Sequence, residues 1–561
     1  MKKKPTSTTL LFIAHLIFVT VLYSSCRKPN LQEEKPNIAS ATDDTVATIL
    51  GQKLENPYTL RNMRRAFKKL VTSSDTNNNT LNVVSPVRLT HKYIRFLPKD
   101  TIEYDRLVRD TVLKLYNTPL DYEIAKQGNY YHDPTVKNNL YTWLYASVPA
   151  NYTFVQGIQY QFLDSLYIPE EDLLFNNTTA TTATIAQSKT IMGDNGTANV
   201  QKLTVTNLLD QAMLQTHNYE YISTPSSKYK TLSSYNPQGN ITTYDTRLKK
   251  LIPLEGVRIR MKRWFTTRIV DTDADGNYKS ATTFRGPVNY YLFFETPRFD
   301  VRTGWFVQAS IDGPHQREPW NLVINSDDIN RFYADVFRGA YRYWYGDIGG
   351  LYRPTVITAI KYAARDNNTQ TSTSGVTVPG GSVFSIMPQI YISRMVNGRI
   401  TDSDETFTTT VHETAHYTHY RNMLFVGYYA MSITIQESWA TAVELYLTKK
   451  EYKARGIANY GDPDYRLVPP TFFPTYLGYQ LGKGDVSYSP LFIDLVDNYN
   501  QKVLAPFGPI NDDITGYNMP DLESYLARVH NEGDLRKELQ KNKPTGITES
   551  QINNFLSQFK F

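Results

Sequence analysis

The chain has one cysteine in 561 residues. That excludes an internal disulfide framework and a cysteine-ligated zinc finger, so stability has to come from packing. It is also short of charge: 20% of its residues are Asp, Glu, Lys or Arg, and 60 basic against 54 acidic residues leave a formal +6. So weak a balance over so long a chain gives no electrostatic footprint for nucleic acid. No apolar run reaches the roughly 20 residues that a membrane-spanning helix needs. What the chain does have is aromatic surface, 13% of residues with 42 tyrosines, which excludes collagen, coiled coil and wholesale disorder. Its length corresponds to about three or four domains, and the segment patterns predict a multidomain α+β protein.

Lys2, Lys3 and Lys4 precede an apolar stretch over residues 10–22, followed by Ser24, Ser25 and Cys26. A basic start, a short apolar run and small residues make an export signal. A cysteine straight after small residues resembles the lipobox of bacterial lipoproteins, with Tyr23 standing where leucine is usual. The resemblance implies that Cys26 is lipidated and begins the mature chain. It also implies a protein exported and anchored to the outer membrane, at the periplasmic face or the cell surface. Residues 1–25 are then a lipoprotein signal peptide and 26–56 a tether.

Residues 57–235 read as an N-terminal α/β region with flexible Thr/Asn-rich connections, chiefly 176–198 (NNTTATTATIAQ at its start). Over 58–71, Leu60, Met63, Phe67 and Leu70 recur at helical spacing. The opposite face carries Arg61, Arg64, Arg65, Lys68 and Lys69 and reads as solvated. A second helix is expected over 104–115, and isolated His91 and His132 are assigned structural roles. In residues 236–297 the pattern changes to alternating strands. The stretch LEGVRIRM…TDADGNYKSATTF…VNYYLFFE resembles the small carboxypeptidase-regulatory-like β-sandwich inserted in many secreted bacterial proteins. Its DTDADG turn sets Asp271, Asp273, Asp275 and Gly276 in the register of half a calcium loop, but Thr282 stands where that loop needs glutamate. An Asp-Gly hairpin turn is expected instead.

Helical signals return in 298–561. Residues 327–345 open with acidic caps, 365–381 form a polar loop, 382–393 are strand-like, and Asp402 to Glu405 supply a helix start. The next segment is TTTVHETAHYTHY, containing His412-Glu413-Thr414-Ala415-His416. Histidines at i and i+4 lie one above the other on a helix face and can reach one zinc ion, with the intervening glutamate beside a water. With nine histidines in the chain, roughly 0.007 accidental matches are expected, so the motif is a signal rather than noise.

A catalytic zinc takes a third protein ligand and keeps one position open. About twenty residues on, QESWATAVE begins a second helix, with Glu437 near its first turn and Glu444 two turns further on the same side. HExxH followed by such a helix resembles the gluzincin class of zinc metallopeptidases, and ESWATAVE is similar to that class's third-ligand helix. The resemblance implies a zincin-like catalytic domain over 298–561, one zinc held by His412, His416 and Glu437, and Glu413 as general base. Glu444 is the other carboxylate available to the metal. A metzincin would need glycine and histidine where His419 and Asn422 stand, so that pattern fails. His419 is kept as an outer or structural residue.

An oxyanion also needs a donor, and Tyr428, Tyr429, Tyr460, Tyr488, Tyr517 and His530 are candidates. Trp439 reads as packing. The strand at Gln389 to Ile392 is either the edge along which an extended peptide pairs or an ordinary core strand. The implied activity is hydrolysis of peptide bonds in a peptide or protein substrate. A second reading is a non-catalytic surface lipoprotein, in adhesion or nutrient binding, with a structural zincin fold. A third is a zinc hydrolase of another amide or an ester.

Overall fold

The computed structural model describes residues 48–72, 85–126, 131–137, 141–172, 205–218, 234–284, 286–304, 308–355, 359–366, 375–378, 388–423, 425–460, 489–498, 511, 513–559 and 561. The signal peptide, Cys26, most of the tether, the stretch 176–198 and Tyr488 lie outside them. Within them the protein is a mixed α+β structure of several sheets and helices. No helix among the described residues is long and apolar enough to cross a membrane.

The N-terminal part holds β1 (Ile49–Lys53), α1 (Leu60–Thr72), β2 (His91–Leu97), α2 (Thr101–Val108), β3 (Tyr122–Lys126), β4 (Leu144–Pro149), β5 (Gln159–Leu166) and α3 (Val205–Gln215). The strands pair antiparallel, in the orders β4-β2-β5 and β1-β3. Helix α1 follows its spacing: Met63 and Phe67 are buried, and all five cations of the opposite face are exposed. Helix α2 is shorter than the pattern suggests. The Asp110 carboxylate accepts from the Val112 N–H at 2.9 Å, an Asx turn that ends the helical path. His91 Nε2 lies 3.1 Å from Glu171 Oε2 and His132 Nε2 3.1 Å from the Val136 carbonyl.

Nine strands follow: β6 (Gln238–Asp245), β7 (Lys250–Pro253), β8 (Arg258–Arg263), β9 (Thr266–Asp271), β10 (Asn277–Lys279), β11 (Val288–Phe293), β12 (Phe299–Thr303), β13 (Ser310–Gln316) and β14 (Leu322–Ile324). One sheet has the order β10-β6-β14 with β7 also on β6, and another runs β13-β11-β8-β9. Ile241, Tyr278 and Ile324 of the first share a core with Ile259, Met261, Tyr290 and Leu292 of the second. The turn after β9 is tight, the Gly276 N–H donating to the Asp273 carbonyl at 2.9 Å. It is not the expected hairpin: β9 pairs with β8 and β10 with β6, so it joins strands of two different sheets. Asp271 pairs with Arg258 at 2.9 Å, and Asp273 Oδ1 accepts from the N–H groups of Asp275 (3.0 Å) and Asn277 (2.8 Å). Gly276, at φ +76°, takes the left-handed position. These two carboxylates serve the turn and its flanking strand.

Strand β12 leaves these sheets for another, after which the chain returns for β13 and β14. At the tip of the β8–β9 hairpin, Trp264 and Phe265 are buried in the N-terminal core. The Phe265 ring centroid lies 5.1 Å from that of Tyr93 and 5.8 Å from that of Tyr58.

Beyond β14 come α4 (Ile329–Tyr345), β15 (Ile360–Arg365), β16 (Gly375–Thr377), β17 (Ile390–Ser393), α5 (Ser403–Asn422), α6 (Phe425–Ala430) and α7 (Ile433–Ala454). Last are the shorter α8 (Leu491–Asp494), α9 (Met519–Leu526), α10 (Glu532–Lys541) and α11 (Glu549–Leu556). The sheet here has the order β12-β15-β17-β16, parallel except for β16. The strand Ile390–Ser393 therefore lies between two neighbours, and the edge next to it is Gly375–Thr377, inside the stretch expected to be loop.

Helix α4 starts at Asp328, whose carboxylate accepts from the Asn330 N–H at 2.8 Å, and crosses α5 at Gly339. A Cβ there would stand 2.8 Å from Thr410 Cβ and 2.9 Å from the Phe407 carbonyl oxygen, so glycine permits the close approach. The helices also meet β6 through buried charge. Arg338 donates to Asp245 of β6 (3.0 Å) and to Asp335 (2.9 Å), and the Tyr452 hydroxyl of α7 donates to Asp245 (3.0 Å). Burial pushes the Asp335 carboxyl up to about 6 against the pull of Arg338 and Arg331, the desolvation cost that such pairs carry.

Candidate metal centre

Helix α5 begins with the Glu405 carboxylate accepting from the Asp402 N–H at 2.8 Å, and every residue from Ser403 to Tyr420 is buried. A helix this polar can be enclosed because its hydroxyls are satisfied locally. Thr410, Thr414 and Thr418 donate to the carbonyls four residues back at 2.8, 2.6 and 2.7 Å. Helix α7 packs antiparallel to it. Thr448 meets Thr408 at one end of the pairing, and Glu437 meets His416 at the other.

His412, Glu413, His416 and Glu437 come together as the motif spacing implies. His412 Nε2 and His416 Nε2 are 3.0 Å apart, and Glu437 Oε2 lies 3.3 Å from the first and 3.1 Å from the second. These three atoms form a buried group that could hold a metal ion. Ligands at the roughly 2.0–2.1 Å of tetrahedral zinc stand about 3.3 Å from one another, so the triangle has a fitting size. The donor chemistry fits too, because two imidazole nitrogens cannot face each other at this distance without a proton or a cation between them.

The electrostatics follow from crowding three carboxylates around two imidazoles. Burial opposes ionisation of Glu437, yet His416 and His412 hold its carboxyl well below the usual range. Burial likewise opposes the His412 imidazolium, but Glu444, Glu437 and Glu413 push its pKa well up. Burial raises Glu413, countered in part by the two histidines and by Thr377. Such a pocket favours positive charge at its centre.

Glu444 does not share the ligand triangle. Its Oε2 lies 3.0 Å from His412 Nδ1, behind the ring, in an ionic contact. A carboxylate on Nδ1 favours a proton there and leaves the Nε2 lone pair facing inward. Tyr428 does the corresponding service for His416: its hydroxyl is 3.2 Å from Nδ1, which places it behind the second ring and not on the open side. His419 is buried, with its pKa lowered to about 3 by burial and by His416, and its ring packs edge-on against Tyr428 at 5.3 Å.

The other oxyanion candidates are dispersed. The Tyr460 hydroxyl donates to Asp404 (3.0 Å), the Tyr517 hydroxyl donates to the Leu539 carbonyl (2.8 Å), and Tyr429 packs edge-on against Tyr420 and Tyr428. His530 lines a separate open cavity of about 550 Å³ beside Met431 and Phe561. Trp439 is buried, 5.5 Å edge-on from Phe492.

Comparison of the chain with protein-family models, with curated proteins and with solved structures finds no match. The site therefore has to be read from its own geometry. Two residues in it carried no signal beforehand, Gly375 and Thr377 of the edge strand, which lie directly against Glu413. A three-residue GVT strand inside a polar stretch gives no periodicity to detect.

Proposed function

We propose that the protein is a zinc-dependent peptidase of the gluzincin type, in which His412, His416 and Glu437 hold one zinc ion and Glu413 is the general base. The observation that carries this reading is the convergence of three buried donor atoms within 3.3 Å of one another, with a buried glutamate one residue from the first histidine. A site that served only to hold a metal has no use for that glutamate. Bound there, zinc supplies Lewis acidity, polarising a scissile carbonyl and acidifying a water molecule.

The chain's own groups do the rest. Glu413, its proton affinity raised by burial, takes the water's proton and later delivers it to the departing amine. Glu444 and Tyr428 hold the two imidazole rings in orientation from behind. Cys26 is proposed as the lipid anchor that carries the enzyme at the outer membrane.

Elemental analysis of the mature chain beside Glu437→Ala, His412→Ala and Glu413→Gln tests the reading. The expected result is near one zinc per chain in the parent and in Glu413→Gln, and little in the other two. On a peptide library, Glu413→Gln is expected to lose about 10²- to 10⁴-fold in turnover. A parent that takes up no zinc refutes it and favours a binding lipoprotein, and a Glu413→Gln variant with full turnover removes Glu413 as the base. Cys26→Ser is expected to remain unlipidated and to leave the detergent phase.

A further inference from the structure

Gly375 and Thr377 stand two apart on β16, a spacing that puts both on one side of a strand. Both face Glu413. The Thr377 hydroxyl lies 2.7 Å from Glu413 Oε2 and 2.8 Å from the Glu413 carbonyl oxygen. It has one proton to give, and the carboxylate is the stronger acceptor, so it donates to Oε2.

At Gly375 the missing side chain is what matters. A Cβ built there would lie 2.7 Å from Glu413 Cγ, from Glu413 Oε1 and from Thr409 Cγ2 alike, inside any contact a real Cβ makes. The residue is not among those at positive φ, so glycine is required for room and not for backbone conformation. The strand is held in place by antiparallel pairing with β17, Gly375 opposite Ile392 and Thr377 opposite Ile390.

We infer that the edge strand β16 positions the Glu413 carboxylate: Thr377 pins Oε2 by its hydroxyl, and the bare Cα of Gly375 leaves Oε1 room to receive a proton from water. This rests on the reading of Glu413 as general base. Thr377 touches neither substrate nor metal in this scheme; it is a positioning residue. The need for one is physical. A glutamate side chain has three rotatable bonds, and a displacement of about 1 Å at a reacting group costs on the order of 10²-fold in rate.

The test uses Thr377→Val, which removes the donor, and Thr377→Ser, which keeps it, each made in the full chain and again on Glu413→Gln. Readouts are kcat and KM on the quenched-fluorescent peptide that the parent cleaves fastest, zinc per chain, and the affinity for acetohydroxamate. That compound chelates zinc and hands its hydroxyl proton to the neighbouring carboxylate, so its binding reports on Glu413 without turnover. Thr377→Val is expected to lower kcat by roughly 10- to 100-fold, part of what a general base contributes. It should leave KM and zinc unchanged and bind acetohydroxamate more weakly. Thr377→Ser is expected to restore both, and on Glu413→Gln the valine substitution is expected to have no further effect.

Parental kcat in Thr377→Val, with Glu413→Gln inactive, overturns the positioning role while the base reading stands. Loss of zinc in Thr377→Val, or an equal further loss on Glu413→Gln, overturns it by showing that Thr377 acts elsewhere. Full turnover in Glu413→Gln removes the base reading and this inference together.

Discussion

Replacing Glu444 by glutamine separates a carboxylate that ligates from one that orients a ligand. Glu444 Oε2 is 3.0 Å from His412 Nδ1, whereas Glu437 Oε2 is 3.3 and 3.1 Å from the two Nε2 atoms. All of these groups are buried. An ionised partner on a buried N–H is worth about 1.5–3 kcal/mol, which at about 1.4 kcal/mol per decade is a factor of roughly 10 to 150 in affinity. Outer carboxylates on ligating histidines are worth about 10- to 100-fold, so the two routes agree. Glu444→Gln is therefore expected to keep one zinc per chain with its dissociation constant raised about 10- to 100-fold. Glu437→Ala loses a proposed ligand and is expected to fall much further. Competition against a chelating indicator reads both, at one fixed pH because protons compete for the imidazoles. Unchanged affinity in Glu444→Gln refutes the orienting role. Stoichiometric zinc in Glu437→Ala together with its loss in Glu444→Ala would exchange the two assignments.

Two further perturbations test the frame around the site. Burial pushes the Glu523 carboxyl from 4.5 up to about 8, against the Tyr352 N–H that it accepts at 2.6 Å. The folded chain then holds this proton more tightly than the unfolded one, so stability falls as pH rises from about 4.5 to 8. Glu523→Gln is expected to change little at pH about 4 and to add about 2–4 kcal/mol above pH about 8. A melting-temperature difference that does not vary with pH would refute this. Gly339→Ala puts a Cβ 2.8 Å from Thr410 Cβ and 2.9 Å from the Phe407 carbonyl. Forcing α4 and α5 apart is expected to cost about 1–3 kcal/mol in denaturant unfolding, and a variant as stable as the parent would show that the crossing has slack.

How much of this was legible beforehand depended on whether a feature is local. The histidine pair is decided by the period of one helix, and the start of that helix by a cap within four residues. The alternating strand pattern of residues 236–297 is local in the same way, whereas the partner of each strand is not. Glu444 was not legible in the same way. It shares a helix face with Glu437, but two turns carry it about 10 Å along the axis. Only the pairing of α7 with α5 puts it behind His412 instead of in front. Nor could spacing rank the tyrosines: among 42, Tyr428 differs only in lying where α6 brings it against His416. The sheet orders are non-local for the same reason. Leu322 pairs with Ile241 across some eighty residues, and nothing in either segment marks the other.

The path of the chain through β12 has a consequence for inheritance. The two sheets sharing the Ile241–Leu292 core are assembled from two separate stretches, β6 to β11 and then β13 and β14, with β12, a strand of the β12-β15-β17-β16 sheet, laid down between them. Arg338 further ties their first strand, β6, to α4. A recombination event that copied these sheets as one contiguous cassette would omit two strands or carry β12 away with them. In this chain the two sheets and the β12-β15-β17-β16 sheet interleave along the sequence, so neither can be copied as one contiguous stretch without part of the other.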